Sequence, residues 1–225
     1  MSKVAILVDG GFYRKRAKFL WGEKTAEARA RELEAYCKAH LHKKDAGIER
    51  VLYRIFYYDC EPIGRRSVYH PLTKRNVDMD KSDTYRWMTV FLEELKKRRK
   101  FALRLGELSE NMHYNLRPSI TKKLLAGSMK LSDLTEDDFE FFSQQKGVDM
   151  RIGVDIASMA FKKQVDQIIL IAGDSDFVPA AKMARREGID FILDPMWASV
   201  RPNLFEHIDG LYSMWGKKKD SASNE

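Results

Sequence analysis

The chain has 225 residues, of which 44% are hydrophobic and 32% charged, and its formal net charge is +7. This composition excludes wholesale disorder and supports one ordinary domain with a buried core, and the basic excess favours a polyanionic partner. No apolar run reaches transmembrane length, and the N-terminal residues are too quickly charged for a signal peptide, so we expect no membrane association.

Cysteine and histidine residues give no sign of a metal or disulfide framework. Cys37 and Cys60 are too few for a disulfide scaffold or a zinc set, and they predict two reduced thiols in a cytoplasmic protein. The five histidines show no metal-ligand spacing, so we expect them at the surface: His40, His42, His70, His113 and His207.

The first third of the chain predicts two strands and a helix. Residues 4–8 form an apolar run that ends at Asp9, which is typical of a strand buried on both faces. Residues 25–43 predict a helix, and the β-branched and aromatic residues 51–58 predict a second strand. Residues 61–78 contain two prolines, a glycine and several cations, and they predict a basic surface loop.

The middle of the chain is less regular. Residues 80–99 predict a helix with cations at its C-terminus, and residues 101–105 predict a third strand. Residues 107–145 are polar and mixed, and they predict an insertion that contains a short helix near residues 136–144.

The last third predicts two further strands, over residues 168–172 and 189–193. The helix between them starts near Pro179, where a proline suits the first turn, and stops at Gly188. Residues 148–156 alternate as a strand would, yet a helix over residues 149–163 is the natural crossover into the next strand, and we prefer the helix.

This alternation predicts a three-layer α/β sandwich with a mainly parallel sheet of five strands. We expect a single domain over residues 1–215, followed by a disordered tail over residues 216–225, which lacks apolar residues.

Carboxylates follow two of the predicted strands. Asp9 ends the first strand, and Asp174 and Asp176 follow the fourth. Ligands of open parallel sheets bind at the carboxyl ends of strands, where close carboxylates would repel one another unless a hard cation such as Mg²⁺ joined them. Taken singly, each acid has a structural explanation: Asp176 or Asp149 would cap the helix that follows it. The recurrence of acids, with Asp149 and Asp155 ahead of the fourth strand, favours a metal site.

Three motifs resemble the NYN-domain family, in the LabA-like branch of the PIN-like nucleases. They are V-D-G-G-F at residues 8–12, K-G-V-D-M-R-I-G-V-D at residues 146–155 and A-G-D-S-D-F-V-P at residues 172–179. The resemblance covers roughly residues 3–212. It implies a sheet with strand order 3-2-1-4-5, an acidic cluster that binds Mg²⁺ or Mn²⁺, ribonuclease activity, and a helix over residues 149–163.

The resemblance also implies roles for the acids. Asp9, Asp149 and Asp174 would be inner metal ligands, and Asp155 and Asp176 would complete the catalytic set by contacting those ligands or by binding the metal through water. One position departs from the family pattern, because Phe12 stands where many members have Asn.

Positive and aromatic residues suggest where a nucleic acid would bind. Arg14 follows the first acid, and Arg65 and Arg66 lie in the predicted basic loop, so we expect these three arginines to contact RNA. Nearby tyrosines could stack on unpaired bases: Tyr57, Tyr58 and Tyr69.

The leading hypothesis is therefore a metal-dependent nuclease that uses a metal-activated water and acts on RNA in preference to DNA. The alternative is a non-catalytic regulator that binds nucleic acid with the same fold, which the change at Phe12 motivates. A phosphohydrolase with a nucleophilic aspartate is disfavoured because position 11 is glycine, and a Toprim-type enzyme because Asp9 replaces the expected glutamate.

Overall fold

The computed structural model describes residues 1–42, 48–173 and 175–216. The contacts divide the chain into two compact units. The first contains residues 1–59, 90–106 and the chain from residue 147, and the second contains residues 60–89 and 107–146.

Helices and strands alternate along much of the chain. The N-terminal half forms β1 (Ser2–Asp9), α1 (Gly10–Trp21), α2 (Ala26–Leu41), β2 (Arg50–Cys60), β3 (Ser67–His70), β4 (Arg75–Asp78), α3 (Asp83–Lys96) and β5 (Phe101–Leu108). The C-terminal half forms β6 (His113–Leu116), α4 (Pro118–Leu125), β7 (Phe139–Phe142), β8 (Gln145–Lys146), α5 (Val148–Phe161), β9 (Gln167–Ile171), α6 (Val178–Arg186), β10 (Asp190–Asp194), α7 (Pro202–Phe205) and β11 (Gly210–Leu211).

Among the described residues, seven strands form the main sheet in the order β11-β10-β9-β1-β2-β5-β8. β1 pairs in parallel with β2 and β9, and β10 pairs in parallel with β9 and β11. The prediction of a mainly parallel α/β sheet is confirmed. The five predicted strands are neighbours in the order β5-β2-β1-β9-β10, but the prediction of five strands in the order 3-2-1-4-5 is wrong for the sheet as a whole, which has two further strands. The two-residue strands β8 and β11 extend it at its edges, and antiparallel pairing of β8 with β5 makes it mixed. Such short strands have no detectable hydrophobic pattern.

The core lies on the central strands of this sheet. Residues 4–8 of β1 and every residue of β9 are buried, as expected for strands covered on both faces. Successive residues of β2 contact opposite layers: the ring of Tyr57 lies 5.6 Å from that of Phe91 of α3, and the hydroxyl of Tyr58 bonds to Asp155 of α5. Helices therefore cover both faces of the sheet.

Several elements differ from the predictions. Helix α1 was not predicted, although Tyr13, Ala17 and Leu20 line its buried face. The segment 61–78, expected as a loop, contains the antiparallel pair β3 and β4. The segment 136–144, expected as a helix, contains strand β7, which pairs with β6. The predicted helix before β9 is confirmed as α5. Residues 217–225 of the predicted tail lie outside the described residues.

The second unit is built around aromatic contacts between its two small sheets. The ring of His70 in β3 lies 4.5 Å from that of Tyr114 in β6 and 5.0 Å from that of Phe139 in β7. His70 is 3% exposed, so its predicted surface position is wrong. The sequence of this unit has eleven Lys or Arg and eleven Asp or Glu, so the excess of positive charge belongs to the first unit.

Cys37 and Cys60 are both buried and are not joined by a disulfide, in agreement with the prediction of reduced thiols. Within the part of the chain that the structure describes, none of the helices has the length and apolar character needed to cross a membrane.

Candidate active site

Acidic residues stand at the carboxyl ends of neighbouring strands. Asp9 is the last residue of β1, Asp59 lies at the end of β2, and Asp194 is the last residue of β10. Because β1, β2, β9 and β10 run in parallel, these ends share one edge of the sheet. Asp174 follows β9 in the sequence, but it lies outside the described residues.

The carboxylate of Asp9 caps a helix and also lies near the charge of a second acid. One oxygen, Oδ1, accepts a hydrogen bond of 3.0 Å from the backbone N–H of Phe12 and so caps helix α1. Burial raises the pKa of Asp9 above its usual value, and the negative charge of Asp149 raises it further, whereas the Phe12 N–H and the Arg14 guanidinium act in the opposite direction. The negative charges of Asp9 and Asp149 therefore repel each other in the folded protein.

Asp59 is an acid of this edge that the sequence analysis did not identify. Its side chain is 2% exposed, forms an ion pair with Arg14, and accepts a hydrogen bond of 2.7 Å from the Tyr57 hydroxyl. Arg14 also donates to that hydroxyl, over 3.1 Å. Burial raises the pKa of Tyr57 to about 12, so its hydroxyl stays protonated and can donate. The position of Asp59 directly after a buried run is the same signal that identified Asp9.

This arrangement bears on the predicted substrate contacts. Arg14 is engaged with a buried carboxylate, so any contact with nucleic acid would have to compete with Asp59. Tyr57 and Tyr58 are fully buried, and the expectation that they stack on bases is wrong, whereas Tyr69 in the second unit is 55% exposed.

Two glycines of the motifs pack against side chains of the protein. A Cβ atom added to Gly10 would lie 2.4 Å from Asp59 Oδ2 and 2.4 Å from the Tyr57 hydroxyl. A Cβ atom added to Gly173 would lie 2.4 Å from a ring carbon of Phe12. The aromatic residue that replaces the family's Asn thus fills the space beside Gly173.

Helix α5 carries two of the predicted site residues to different surroundings. Asp149 is exposed in the first turn of the helix, next to the charge of Asp9. Asp155 lies six residues later, about 9 Å along the axis. There it accepts hydrogen bonds from the Tyr58 hydroxyl (2.8 Å) and Arg104 Nε (3.0 Å).

The proposed capping roles of two acids are not found. The N-cap of α5 is Gly147, in the left-handed region at φ 75°, rather than Asp149. The N-cap of α6 is Phe177. Asp176 is exposed in the short 3₁₀ helix Ser175–Phe177.

Asp194, the acid at the end of β10, belongs to a buried network that the sequence did not reveal. Asp194 accepts hydrogen bonds from the Tyr36 hydroxyl (2.6 Å) and the backbone N–H of Met196 (2.7 Å). His40 Nε2 lies 2.8 Å from the same carboxylate, and both side chains are fully buried. The predicted surface position of His40 is therefore wrong. Its partner is 154 residues away, so no local pattern could have indicated the pair.

The donor set of the edge fits a hard divalent cation. Over residues 1–42, 48–173 and 175–216, no group of three or more His, Cys, Asp or Glu side chains converges as a metal cluster would. Asp9 and Asp149, however, are close enough for the charge of one to oppose ionisation of the other. Mg²⁺ is commonly bound by one or two carboxylates together with waters and substrate phosphates, and these two oxygen donors suit it.

Arg65 and Arg66, the other predicted nucleic-acid contacts, lie in the second unit. Arg65 adopts the left-handed conformation at φ 54°, and Arg66 Nη2 lies 3.8 Å from the exposed carboxylate of Glu110. This ion pair is solvent-exposed and weak.

Comparisons with known proteins give a family match for part of the chain. Residues 91–200 match the family model of the NYN domain. This segment of the chain is therefore NYN-like. NYN domains belong to the PIN-like superfamily, whose members are generally ribonucleases and typically use divalent metals. The match includes the motifs around Asp149 and Asp176 and begins after the motif of Asp9.

Among solved structures, the chain resembles a protein of unknown function from Vibrio parahaemolyticus. The two are 15% identical with a TM-score of 0.45, and the likeness covers 95% of this chain and 93% of the other. A comparison with curated protein sequences gives no significant match.

Proposed function

We propose that this protein is a metal-dependent nuclease of the LabA-like NYN branch that hydrolyses phosphodiester bonds, in RNA rather than DNA. One observation carries the proposal: Asp9, at the carboxyl end of β1, and Asp149, in the first turn of α5, are close enough for their like charges to repel. Without a cation this arrangement costs free energy, and a divalent metal removes that cost. The NYN match over residues 91–200 supports the same conclusion.

In this proposal each acid has a defined part. Asp9, Asp149 and Asp174 would bind Mg²⁺ or Mn²⁺ directly. Asp155 and Asp176 would contact these ligands or bind the metal through water. The cation would supply activation of a water molecule and stabilisation of the charge that develops on the phosphate. The Phe12 N–H holds Oδ1 of Asp9. This hydrogen bond also fixes the orientation of the carboxyl group, and with it the position of the other oxygen, Oδ2.

The proposal also covers the contacts with nucleic acid, the extent of the domain and the cellular location. Arg65, Arg66 and, in competition with Asp59, Arg14 contact the nucleic acid backbone. Residues 1–215 act as one nuclease domain in which residues 107–145 are an insertion. The two buried cysteines, which are not joined by a disulfide, support a cytoplasmic location.

Cleavage of end-labelled single-stranded RNA and DNA tests this function. Wild type is compared with Asp174→Asn, and with Glu206→Gln as a control that removes one exposed negative charge elsewhere in the first unit. We expect cutting of RNA with Mn²⁺ or Mg²⁺, no cutting with chelator, and loss of cutting only in Asp174→Asn, which should still bind RNA. Equal cutting by all three proteins would refute the proposed site. Salt-sensitive RNA binding without cutting by wild type would instead favour the non-catalytic regulator.

A further inference from the structure

A cavity of about 260 Å³ lies within the first unit, between β2, β5 and helix α5. Its wall includes Arg54 and Phe56 from β2, Arg104 from β5, and Asp155 and Ser158 from α5. Of these wall residues, only Asp155 has a part in the motifs and in the proposed function. The cavity's mixture of arginine, aromatic and hydroxyl groups is unlike a simple packing defect, which would be lined by apolar side chains.

One wall of the cavity is a fixed stack of a guanidinium on an aromatic ring. The guanidinium carbon of Arg104 lies 5.2 Å from the ring centroid of Phe56. Its Nε donates to Asp155 over 3.0 Å, and the Tyr58 hydroxyl donates to the same carboxylate over 2.8 Å. Asp155 thereby orients Arg104, whose side chain is 43% exposed and carries a planar guanidinium on which a planar ligand can stack.

A second wall supplies a positive charge. Arg54 is exposed, and the structure shows no hydrogen bond or ion pair of its side chain with any described residue. Arginine forks bind phosphate and carboxylate oxygens through paired hydrogen bonds, and the surrounding first unit carries the positive charge excess of the chain. The cavity therefore combines a planar surface with an anion-binding group.

We propose that this cavity binds a single nucleotide, with its base against the Arg104 and Phe56 stack and its phosphate at Arg54. The same chemistry is offered by a free mononucleotide and by one residue of an RNA strand. Asp155, which the motif resemblance placed among the catalytic acids, acts here as a positioning residue for Arg104. Binding to the cavity requires no metal, so this inference does not depend on the proposed nuclease activity.

Calorimetric titration of the full-length protein in chelator tests the proposal. The probes are a 5′-mononucleotide, the matching nucleoside and inorganic phosphate. We expect the nucleotide to bind more tightly than either fragment, because it alone satisfies both walls. Arg54→Gln should weaken nucleotide binding by about tenfold or more, since a charge-assisted hydrogen bond is lost. The matched control Arg99→Gln changes an exposed arginine outside the cavity and should bind within twofold of wild type.

The outcomes separate this site from the acidic edge. Asp9→Asn should bind the nucleotide as wild type does, even where it abolishes cleavage. If Arg54→Gln also weakens binding of a short RNA in chelator, the cavity holds one residue of an RNA strand. If the variant loses only mononucleotide binding, the cavity holds a free nucleotide. Absence of nucleotide binding by wild type, or equal binding by Arg54→Gln and Arg99→Gln, would overturn the proposal.

Discussion

Substitution of Gly10 by alanine tests how tightly the acidic edge is packed. The added Cβ atom would lie 2.4 Å from Asp59 Oδ2, 2.4 Å from the Tyr57 hydroxyl and 2.5 Å from the adjoining ring carbon. Each of these distances falls about 1 Å short of ordinary van der Waals contact. The clash is not relieved by a flexible side chain, because Tyr57 and Asp59 are buried and joined through Arg14.

The expected cost combines two effects. Overpacking of a well-packed core costs about 1–3 kcal/mol, and displacement of Asp59 from its partners adds about 1–3 kcal/mol. We therefore expect Gly10→Ala to lower the free energy of unfolding by about 3 kcal/mol, which at 2–4 °C per kcal/mol lowers Tm by roughly 6–12 °C.

Urea denaturation followed by circular dichroism measures this loss, and Gly153→Ala is the matched control. Gly153 lies within α5, and a Cβ atom there meets nothing within 4 Å. The control should gain up to about 1 kcal/mol from its higher helix propensity. If Gly10→Ala is as stable as wild type, or if the two variants lose equal stability, the packing described around Asp59 is incorrect.

Three further variants test individual charges. Burial raises the pKa of Asp9 in the folded state, so the folded protein holds its proton more tightly and the free energy of unfolding falls as pH rises from 3.8 through the raised value. Asp9→Asn, which keeps a capping oxygen, should therefore raise Tm at pH 7 without added metal and give no gain below about pH 3.5. A Tm difference between variant and wild type that stays the same across this range would contradict the raised pKa of Asp9. Arg14→Met should cost about 3 kcal/mol in urea denaturation because it removes a cation from a buried carboxylate, whereas Lys15→Met, at an exposed neighbouring position, should cost under about 0.5 kcal/mol. His40→Ala should cost about 2–4 kcal/mol and His42→Ala nearly nothing, since only the first contacts buried Asp194, and similar losses would argue against the network.

The parallel sheet could be predicted because its central strands are continuous apolar runs. Residues 4–8 and 168–172 are buried on both faces and end at Asp9 and Gly173, so their sequence carries the signal without help from the rest of the fold. Strands β6 and β7 could not be predicted in the same way. Their stability comes from cross-strand pairs such as His113 with Phe142, which are distant in sequence, and the acids around residue 137 favoured a helix.

The residues of the candidate site, like the strands, could be predicted from the sequence only in part. Asp9 was identified because an acid follows a buried strand, and Asp59 and Asp194 carry the same signal, although they were not recognised. The signal does not separate acids that face a ligand from acids that are neutralised inside the protein. That distinction depends on Arg14 and His40, which reach their carboxylates from 45 and 154 residues away in the chain.

The most direct test of the proposed nuclease is the rate of RNA cleavage as a function of Mn²⁺ concentration for wild type, Asp9→Asn and Glu206→Gln. We expect wild type and Glu206→Gln to cut at equal, saturable rates. Asp9→Asn should be slower by about 100-fold, the equivalent of about 2.7 kcal/mol of the transition-state stabilisation that a metal supplies. Equal rates for wild type and Asp9→Asn at every Mn²⁺ concentration would show that this edge of the sheet is not the catalytic site.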